Sequence, residues 1–393
     1  MSILTGMPEM SALHRIVDAR RPRFLSELET LVNIDCGSYT AAGVNRVADF
    51  VTDALRELGA QIERVPHEPA NGMQLGDLVI GRLDGDGPRL LLIGHMDTVF
   101  DEGTAAERPY RSVGDRAMGP GVTDMKAGLL AGLHAVAALQ QAGGRPSITF
   151  VANPDEEIGS PFSTSFIRTL APEHDAALVL ECARANGDIV SSRKGIADYH
   201  ISIVGRAAHA GVEPEKGRSA ILEAAHLTLA LHGLNGRWPT VTVNAGVIRG
   251  GTRPNVVAER CEMEIDLRAA TVDAFDAAAA EVERLAASPT VEGVAVTLRR
   301  SAGHPPMEKT DASALLVGLA VSIAGELGFP LTDAATGGAS DANTCAALGV
   351  PTLDGLGPVG GDDHSVDEWL DLESVVPRTT LLAGLVARIG QAL

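Results

Sequence analysis

Aromatic side chains are scarce: Phe, Trp and Tyr make up 3% of the 393 residues. Gripping bases or sugar rings needs stacking platforms, and so few rings argue against a surface built on them. Cysteine is scarcer still, with Cys36, Cys182, Cys261 and Cys345 far apart and no CxxC pair. That spacing offers neither a disulfide framework nor a thiolate zinc finger, and it fits a reducing cytoplasm. Positive charge is short as well: 32 Lys and Arg stand against 51 Asp and Glu, a formal net charge of −19. Counterion release from a polyanion needs the opposite sign, so no nucleic-acid partner is expected. No window approaches 18 uninterrupted apolar residues, and residues 1–21 lack a basic flank followed by an apolar core. No membrane partner and no cleaved leader are expected, and the chain is read as soluble and cytoplasmic.

What is present reads as an ordinary packed protein, 45% hydrophobic and 21% charged, and long enough for two or more domains. Val44, Val47, Val51, Leu55 and Leu58 recur at steps of three and four, which predicts a helix over 44–58 with one buried face. Near-continuous apolar runs at 89–94, 147–152 and 176–180 predict central strands covered on both faces. An Ala- and Leu-rich helix is expected at 125–142 between the first two. Strand and helix thus alternate, which argues an α/β architecture with a mostly parallel sheet.

From about residue 196 the rhythm changes. Strand 197–204, helix 217–234, strands 240–248 and 256–268 around Gly250-Gly251, helix 272–287 and strand 294–300 give the order βαββαβ, the ferredoxin-like split unit. After Pro305-Pro306 the first rhythm resumes, with helices near 312–328 and 340–348, a strand at 351–356 and a closing helix over 372–393. The expected organisation is a catalytic domain in two parts, 1–194 and 303–393, with a smaller domain at 195–302 inserted between them.

In open α/β sheets ligands bind beyond the carboxyl ends of the strands. Those positions are unusually polar here. The 89–94 strand runs into His95-Met96-Asp97-Thr98, the 147–152 strand into Asn153-Pro154-Asp155-Glu156-Glu157, and the 176–180 strand into Glu181. Asp124 stands at the mouth of a helix, and His364 follows Asp362-Asp363. Two imidazoles and several carboxylates on one sheet edge would repel or stay hydrated without a cation, and this N/O donor mixture suits zinc or a similar divalent metal. His14, His67, His134, His174, His200, His226 and His232 have no such setting and read as surface or core residues.

These motifs identify a resemblance to the cocatalytic di-zinc metallopeptidase family containing glutamate carboxypeptidases, aminoacylases and succinyl-diaminopimelate desuccinylase. It rests on His95 through Thr98, Gly119-Pro120-Gly121 through Asp124-Met125-Lys126, Asp155-Glu156-Glu157, Gly205 through His209-Ala210-Gly211, Gly337-Gly338 through Asp341, and His364-Ser365. It spans nearly the whole chain and is closest to the glutamate carboxypeptidase-like members.

The resemblance implies a zinc-exopeptidase-like catalytic domain with an inserted lid and dimerisation domain. Asp124 would bridge two Zn²⁺ ions per chain, Co²⁺ or Mn²⁺ being possible substitutes; His95 and Glu181 would complete one site, Glu157 and His364 the other. Asp97, two residues after His95, is placed to accept the ring N–H that the metal leaves free. Glu156 is read as the general base, since a carboxylate must take the proton of the zinc-bound water and later deliver it to the leaving nitrogen. On an extended backbone Glu156 and Glu157 point in opposite directions, so one can ligate while the other faces the water.

The matching histidine of the family donates to the developing oxyanion in the site of a partner protomer, which implies that role for His209 and a homodimer built through the inserted domain. For substrate the resemblance points to Asn255, to Arg268, whose planar fork suits a carboxylate, and to Gly338. The stretch where a further arginine for a terminal carboxylate is sought reads Gly303-His304-Pro305-Pro306, so the substrate side chain is left open.

Gly355-Leu356-Gly357-Pro358-Val359-Gly360 matches GxGxxG, but Asp362-Asp363-His364 follows where a dinucleotide fold begins an apolar helix. A glycine loop that positions His364 explains it better. No GxSxG elbow is present. The sequence therefore reads as a metallohydrolase cleaving an amide or peptide bond beside a free carboxylate, in a small peptide or N-acyl amino acid. The alternatives are an N-acyl-amino-acid deacylase or desuccinylase, and a catalytically silent metal-stabilised binding dimer.

Overall fold

The computed structural model describes residues 9–69, 72–301 and 303–393. The chain divides into two compact units. One gathers the described residues of Met1–Ser191 with Lys309–Ala335 and Ser340–Leu393; the other is Ser192–Glu308 with Thr336–Ala339. Of the boundaries expected at 195 and 302, the first falls three residues earlier; residue 302 itself lies outside the described residues, and the second unit continues to Glu308, six residues beyond the expected end. Thr336–Ala339, which the sequence reading assigns to 303–393, packs with the second unit.

The first unit is built on a six-stranded sheet in the order Gln61–Val65, Leu78–Leu83, Pro146–Asn153, Asp86–His95, Ala176–Val179, Thr352–Leu353. Asp86–His95 runs parallel to both its neighbours, and Thr352–Leu353 parallel to Ala176–Val179. The two strands at the other edge are antiparallel additions. The central strands are buried where their apolar runs lie, Asp86–His95 from Leu90 onward and the other two along almost their whole length. Helix Ala127–Gln141 is buried on nearly every side. Val122–Gln141 is the one described helical stretch long and apolar enough to cross a membrane, and 94% of its apolar window lies inside the fold. It packs this closely because it carries glycine: a Cβ on Gly128 would stand 1.8 Å from the Leu180 carbonyl oxygen, and one on Gly132 2.6 Å from the Leu180 side chain.

Two features of this unit are absent from the sequence reading. Met10–Val32 is a long helix that buries Leu13, Val17, Phe24, Leu28 and Leu31, with Pro22 inside it. A small four-stranded sheet joins Gly360–Gly361, Trp369–Asp371, Arg116–Met118 and Arg111–Val113 in that order. The closing helix is Val375–Arg388, shorter than expected at both ends.

The second unit is a four-stranded sheet ordered Thr242–Gly250, Arg260–Ala269, Gly195–Val204, Ala295–Arg300, antiparallel throughout. Helices Ala220–His232 and Val272–Ala286 share its core, where Tyr199, Ile201, Ile203, Met263 and Ile265 alternate with the more exposed Asp198, His200 and Ser202. Ser219 and Thr271 cap the two helices through their side-chain oxygens. The strand expected over 256–268 begins only at Arg260. Residues 255–257 instead run beside the His209 loop, where the Asn255 carbonyl accepts the Ala210 N–H and the Ala208 carbonyl accepts the Val257 N–H, each at 3.0 Å. All four cysteines are free and buried.

Candidate metal centre

Three adjacent strands of the first unit deliver polar residues at their carboxyl ends. His95 closes Asp86–His95, Glu157 lies in the short turn Glu156–Ile158 after Pro146–Asn153, and Glu181 follows Ala176–Val179. Asp124 comes from the turn ahead of helix Ala127–Gln141, and His364 from the loop between Gly360–Gly361 and Trp369–Asp371.

These five side chains meet. Asp124 Oδ1 lies 3.1 Å from His95 Nε2, and Asp124 Oδ2 lies 3.1 Å from His364 Nε2. Glu181 Oε1 is 3.7 Å from His95 Nε2, and Glu157 Oε2 is 3.1 Å from His364 Nε2. Two triads result, His95–Asp124–Glu181 and Asp124–Glu157–His364, each with its donor atoms within 4.8 Å of one another.

The electrostatics are those of carboxylates in excess. Burial pushes the Glu181 carboxyl up to about 7, and burial also raises Glu157. Glu156 is pushed well up by burial and by the Glu181 charge. Hydrogen bonds to Asp124 and Glu157 lift His364 to about 11. Asp124 is driven the other way: burial would raise it, but its bonds to His364 and His95 prevail. One Glu157 oxygen, Oε1, is buried without a hydrogen-bond partner. Such a cluster is relieved by cations.

The donor set fits them. Ligands at the ~2.1 Å typical of zinc and arranged tetrahedrally stand about 3.4 Å apart, and the separations here are 3.1–3.7 Å. Two imidazole nitrogens and three carboxylates can hold two divalent ions, with Asp124 offering one oxygen to each.

Asp97 departs from its expected role. The His95 Nδ1–H donates to the backbone carbonyl of Asp97 at 3.0 Å, while the Asp97 carboxylate lies 3.4 Å away. The tautomer is still set, leaving Nε2 toward Asp124. The carboxylate has other partners: it accepts the Ser38 hydroxyl at 2.6 Å and the backbone N–H groups of Glu156 and Glu157 at 3.1 and 3.2 Å. Glu156 and Glu157 also do not lie on an extended backbone. They share a 3₁₀ turn, so their side chains diverge by a third of a turn and only Glu157 joins a triad.

Beneath that turn Asp341, itself buried, accepts the Ser160 hydroxyl at 2.7 Å and contacts the Asn153 amide. The Asp124 turn is held from two sides. Glu368 accepts the backbone N–H groups of Gly121, Thr123 and Asp124 at 2.9, 2.8 and 3.1 Å. Lys126, fully buried, donates to the carbonyls of Pro120 and Ile34 at 2.9 and 3.1 Å. The glycine run Gly355–Gly360 turns carbonyls to a cation: buried Arg378 donates to those of Gly355 and Gly357 at 2.5 and 3.1 Å, while the Gly355 N–H donates to the Asp354 carboxylate at 2.6 Å. Beyond it the chain takes left-handed φ at Asp362 and His364, +57° and +62°, braced by Trp369 Nε1–H on Asp362 Oδ2 at 3.0 Å.

Four predicted residues belong to the second unit. His209 and Asn255 are both exposed on the paired segments described above, with His209 Nδ1 accepting the Gly211 N–H at 3.1 Å. Arg268 pairs with Asp266 at 3.1 Å and donates to the Gly337 carbonyl at 2.9 Å, while the Gly338 carbonyl accepts from Arg193 at 3.1 Å. Glu368, Lys126 and Arg378 carry no role in the sequence reading. Their partners are backbone groups, and residue spacing gives no sign of those.

The model of peptidase family M20/M25/M40 matches residues 91–388. Carboxypeptidase G2 of Pseudomonas sp. strain RS-16 is 32% identical over 386 residues, covering 97% of this chain and 92% of that protein. Succinyl-diaminopimelate desuccinylase of Leptothrix cholodnii is 28% identical over 353 residues, 84% and 89% of the two chains. Among solved structures, aminopeptidase PepT of Bacillus cereus superposes with a TM-score of 0.78 at 22% identity, covering 94% of this chain and 98% of that one.

Proposed function

The chain belongs to peptidase family M20/M25/M40 and is a hydrolytic metallopeptidase, and on that premise we propose that it cleaves the amide bond beside a free carboxylate in small peptides or N-acyl amino acids. The observation that carries the reading is Asp124, whose two oxygens each face a different imidazole at 3.1 Å. His95, Asp124 and Glu181 would hold one Zn²⁺ and Asp124, Glu157 and His364 a second, with Co²⁺ or Mn²⁺ as substitutes. Bound there, the ions supply Lewis acidity toward the scissile carbonyl and lower the pKa of water.

The chain's own groups do the proton work. Glu156 takes a proton from the attacking water as its oxygen bonds to the carbonyl carbon, and returns it to the nitrogen as the C–N bond breaks. Asp97 orients both His95 and the turn that carries Glu156. Arg268 and Asn255, with Gly338 lining the pocket, bind the substrate carboxylate, and His209 donates to the developing oxyanion of a partner protomer's substrate. Homodimerisation through the second unit is supported by its two edge strands, Thr242–Gly250 and Ala295–Arg300, which pair with no further strand among the described residues, although the Asn235 amide covers Val243 on the first, and by Ile221, Leu222 and Leu229, which stand 45%, 50% and 75% exposed on one helix. Four free, buried thiols fit a cytoplasmic setting.

A second reading, deacylation of N-acyl amino acids or desuccinylation, is favoured by the desuccinylase relative. Mass-spectrometric screening of dipeptides, N-acyl amino acids and N-succinyl diamino acids with the zinc-loaded protein separates the two. Turnover of dipeptides selects the carboxypeptidase-like reading, turnover of acyl substrates with no dipeptide turnover selects the deacylase reading, and turnover of none of these compounds removes both.

A further inference from the structure

We propose that Glu368 is a positioning residue for the metal centre: it holds the Asp124 turn in its ligating shape before any ion arrives. The inference rests on the dinuclear reading above and goes beyond it to a residue that touches neither metal nor substrate.

The turn from Gly119 to Lys126 has little regular structure of its own. Gly119 and Gly121 have φ of +144° and +69°, and the backbone at Asp124 and Met125 is non-helical although the segment leads into a helix. A chain bent this way turns successive N–H groups inward and leaves them without helical partners, the arrangement that makes an anion-binding nest. Here the anion is internal. Glu368 Oε2 takes the Gly121 N–H at 2.9 Å, and Oε1 takes those of Thr123 and Asp124 at 2.8 and 3.1 Å. Glu368 is 1% exposed, so water does not compete for those donors.

The carboxylate is itself fixed by the small sheet. It immediately precedes Trp369–Asp371, which pairs with Gly360–Gly361 on one side and with Arg116–Met118 on the other. Gly360–Gly361 leads to His364, and Arg116–Met118 leads to Asp124. The approach is close, since a Cβ on Gly360 would stand 1.9 Å from Thr123 Oγ1. One carboxylate therefore ties together the two chain segments that supply the bridging ligand and the His364 ligand. Without it three buried N–H groups lose their acceptor, and the Asp124 oxygens must be reordered each time an ion binds.

The test is zinc affinity, measured by competition with a chromophoric chelator on wild type, Glu368→Gln and Glu368→Asp. Glutamine keeps the shape but turns an NH₂ toward an N–H donor. Aspartate keeps the charge and draws it back by one methylene. Affinity is expected to fall about 10- to 100-fold in Glu368→Gln and by less in Glu368→Asp. Equal affinity in wild type and Glu368→Gln overturns the role of Glu368 and leaves the dinuclear reading intact. A wild-type protein that binds no divalent ion overturns both. If the variants do not fold, amide hydrogen exchange on metal-stripped wild type decides: protection at Gly121, Thr123 and Asp124 is expected, and free exchange there overturns the proposal.

Discussion

Asp97 Oδ1 accepts the backbone N–H of Glu156 at 3.1 Å, so the side chain beside one imidazole also fixes the peptide of the proposed general base. Replacing Asp97 with Asn leaves a single acceptor oxygen for the Ser38 hydroxyl and two N–H groups. A loss in kcat of about 10- to 100-fold is expected, with KM little changed. Steady-state kinetics check it, and unaltered kcat would refute the link.

Glu156→Gln should retain bound metal while kcat falls by about 100- to 10,000-fold, because an amide cannot accept the water proton. Metal analysis and kinetics on the same preparation decide it. Near-normal turnover would move the base to another residue.

Asp124→Ala removes a donor from both triads and should lose one or both ions, as should His95→Ala and His364→Ala. Chelation of the wild type should abolish activity, and added Zn²⁺, Co²⁺ or Mn²⁺ should restore it. Full metal occupancy in Asp124→Ala would contradict a bridging role.

His134 is buried against Glu27, 2.7 Å from Nε2 to Oε2, and burial lowers its pKa from the usual histidine range. The unfolded chain then binds a proton more readily than the folded one, so stability is complete above about pH 6.5 and declines as pH falls below it. Each tenfold difference in proton affinity between the two states is worth about 1.4 kcal/mol. Between pH 7.5 and 5.5, denaturant titrations should lose stability faster in wild type than in His134→Gln, the other titrating groups being common to both. Parallel curves would mean that His134 does not titrate this way.

If His209 serves the partner's site, two inactive variants should complement each other. Mixing Glu156→Gln with His209→Ala under conditions that exchange subunits should pair an intact Glu156 with an intact His209 and restore part of the activity. With exchange verified and no activity returned, His209 either works within its own chain or takes no part.

The central sheet and the five meeting side chains were legible because each signal is local. Apolar runs of buried strands end abruptly in His95, Glu157 and Glu181, and a strand end is where such sheets gather ligands. Met10–Val32 was harder to read, since Arg20-Arg21-Pro22-Arg23 interrupts its apolar spacing. Strands of two or three residues, such as Gly360–Gly361, are too short for any periodicity. Glu368 lies 244 residues from Asp124 in sequence and bonds to backbone, which leaves no pattern in residue types. Asp97 stands beside His95 as its spacing leads one to expect, but the group that takes the ring N–H is its carbonyl rather than its carboxylate, and the sequence names only the carboxylate.

Gly128 gives the centre something like a machinist's gauge. It lies four residues beyond Asp124, its backbone stands against the carbonyl of Leu180, and Leu180 is followed directly by Glu181; a Cβ would close that gap to 1.8 Å. The segments that carry Asp124 and Glu181 thus approach so closely that position 128 has room for a hydrogen atom and nothing larger. Any side chain at 128 would have to push those two segments apart, leaving all five residues in the sequence but no longer at the spacing seen here.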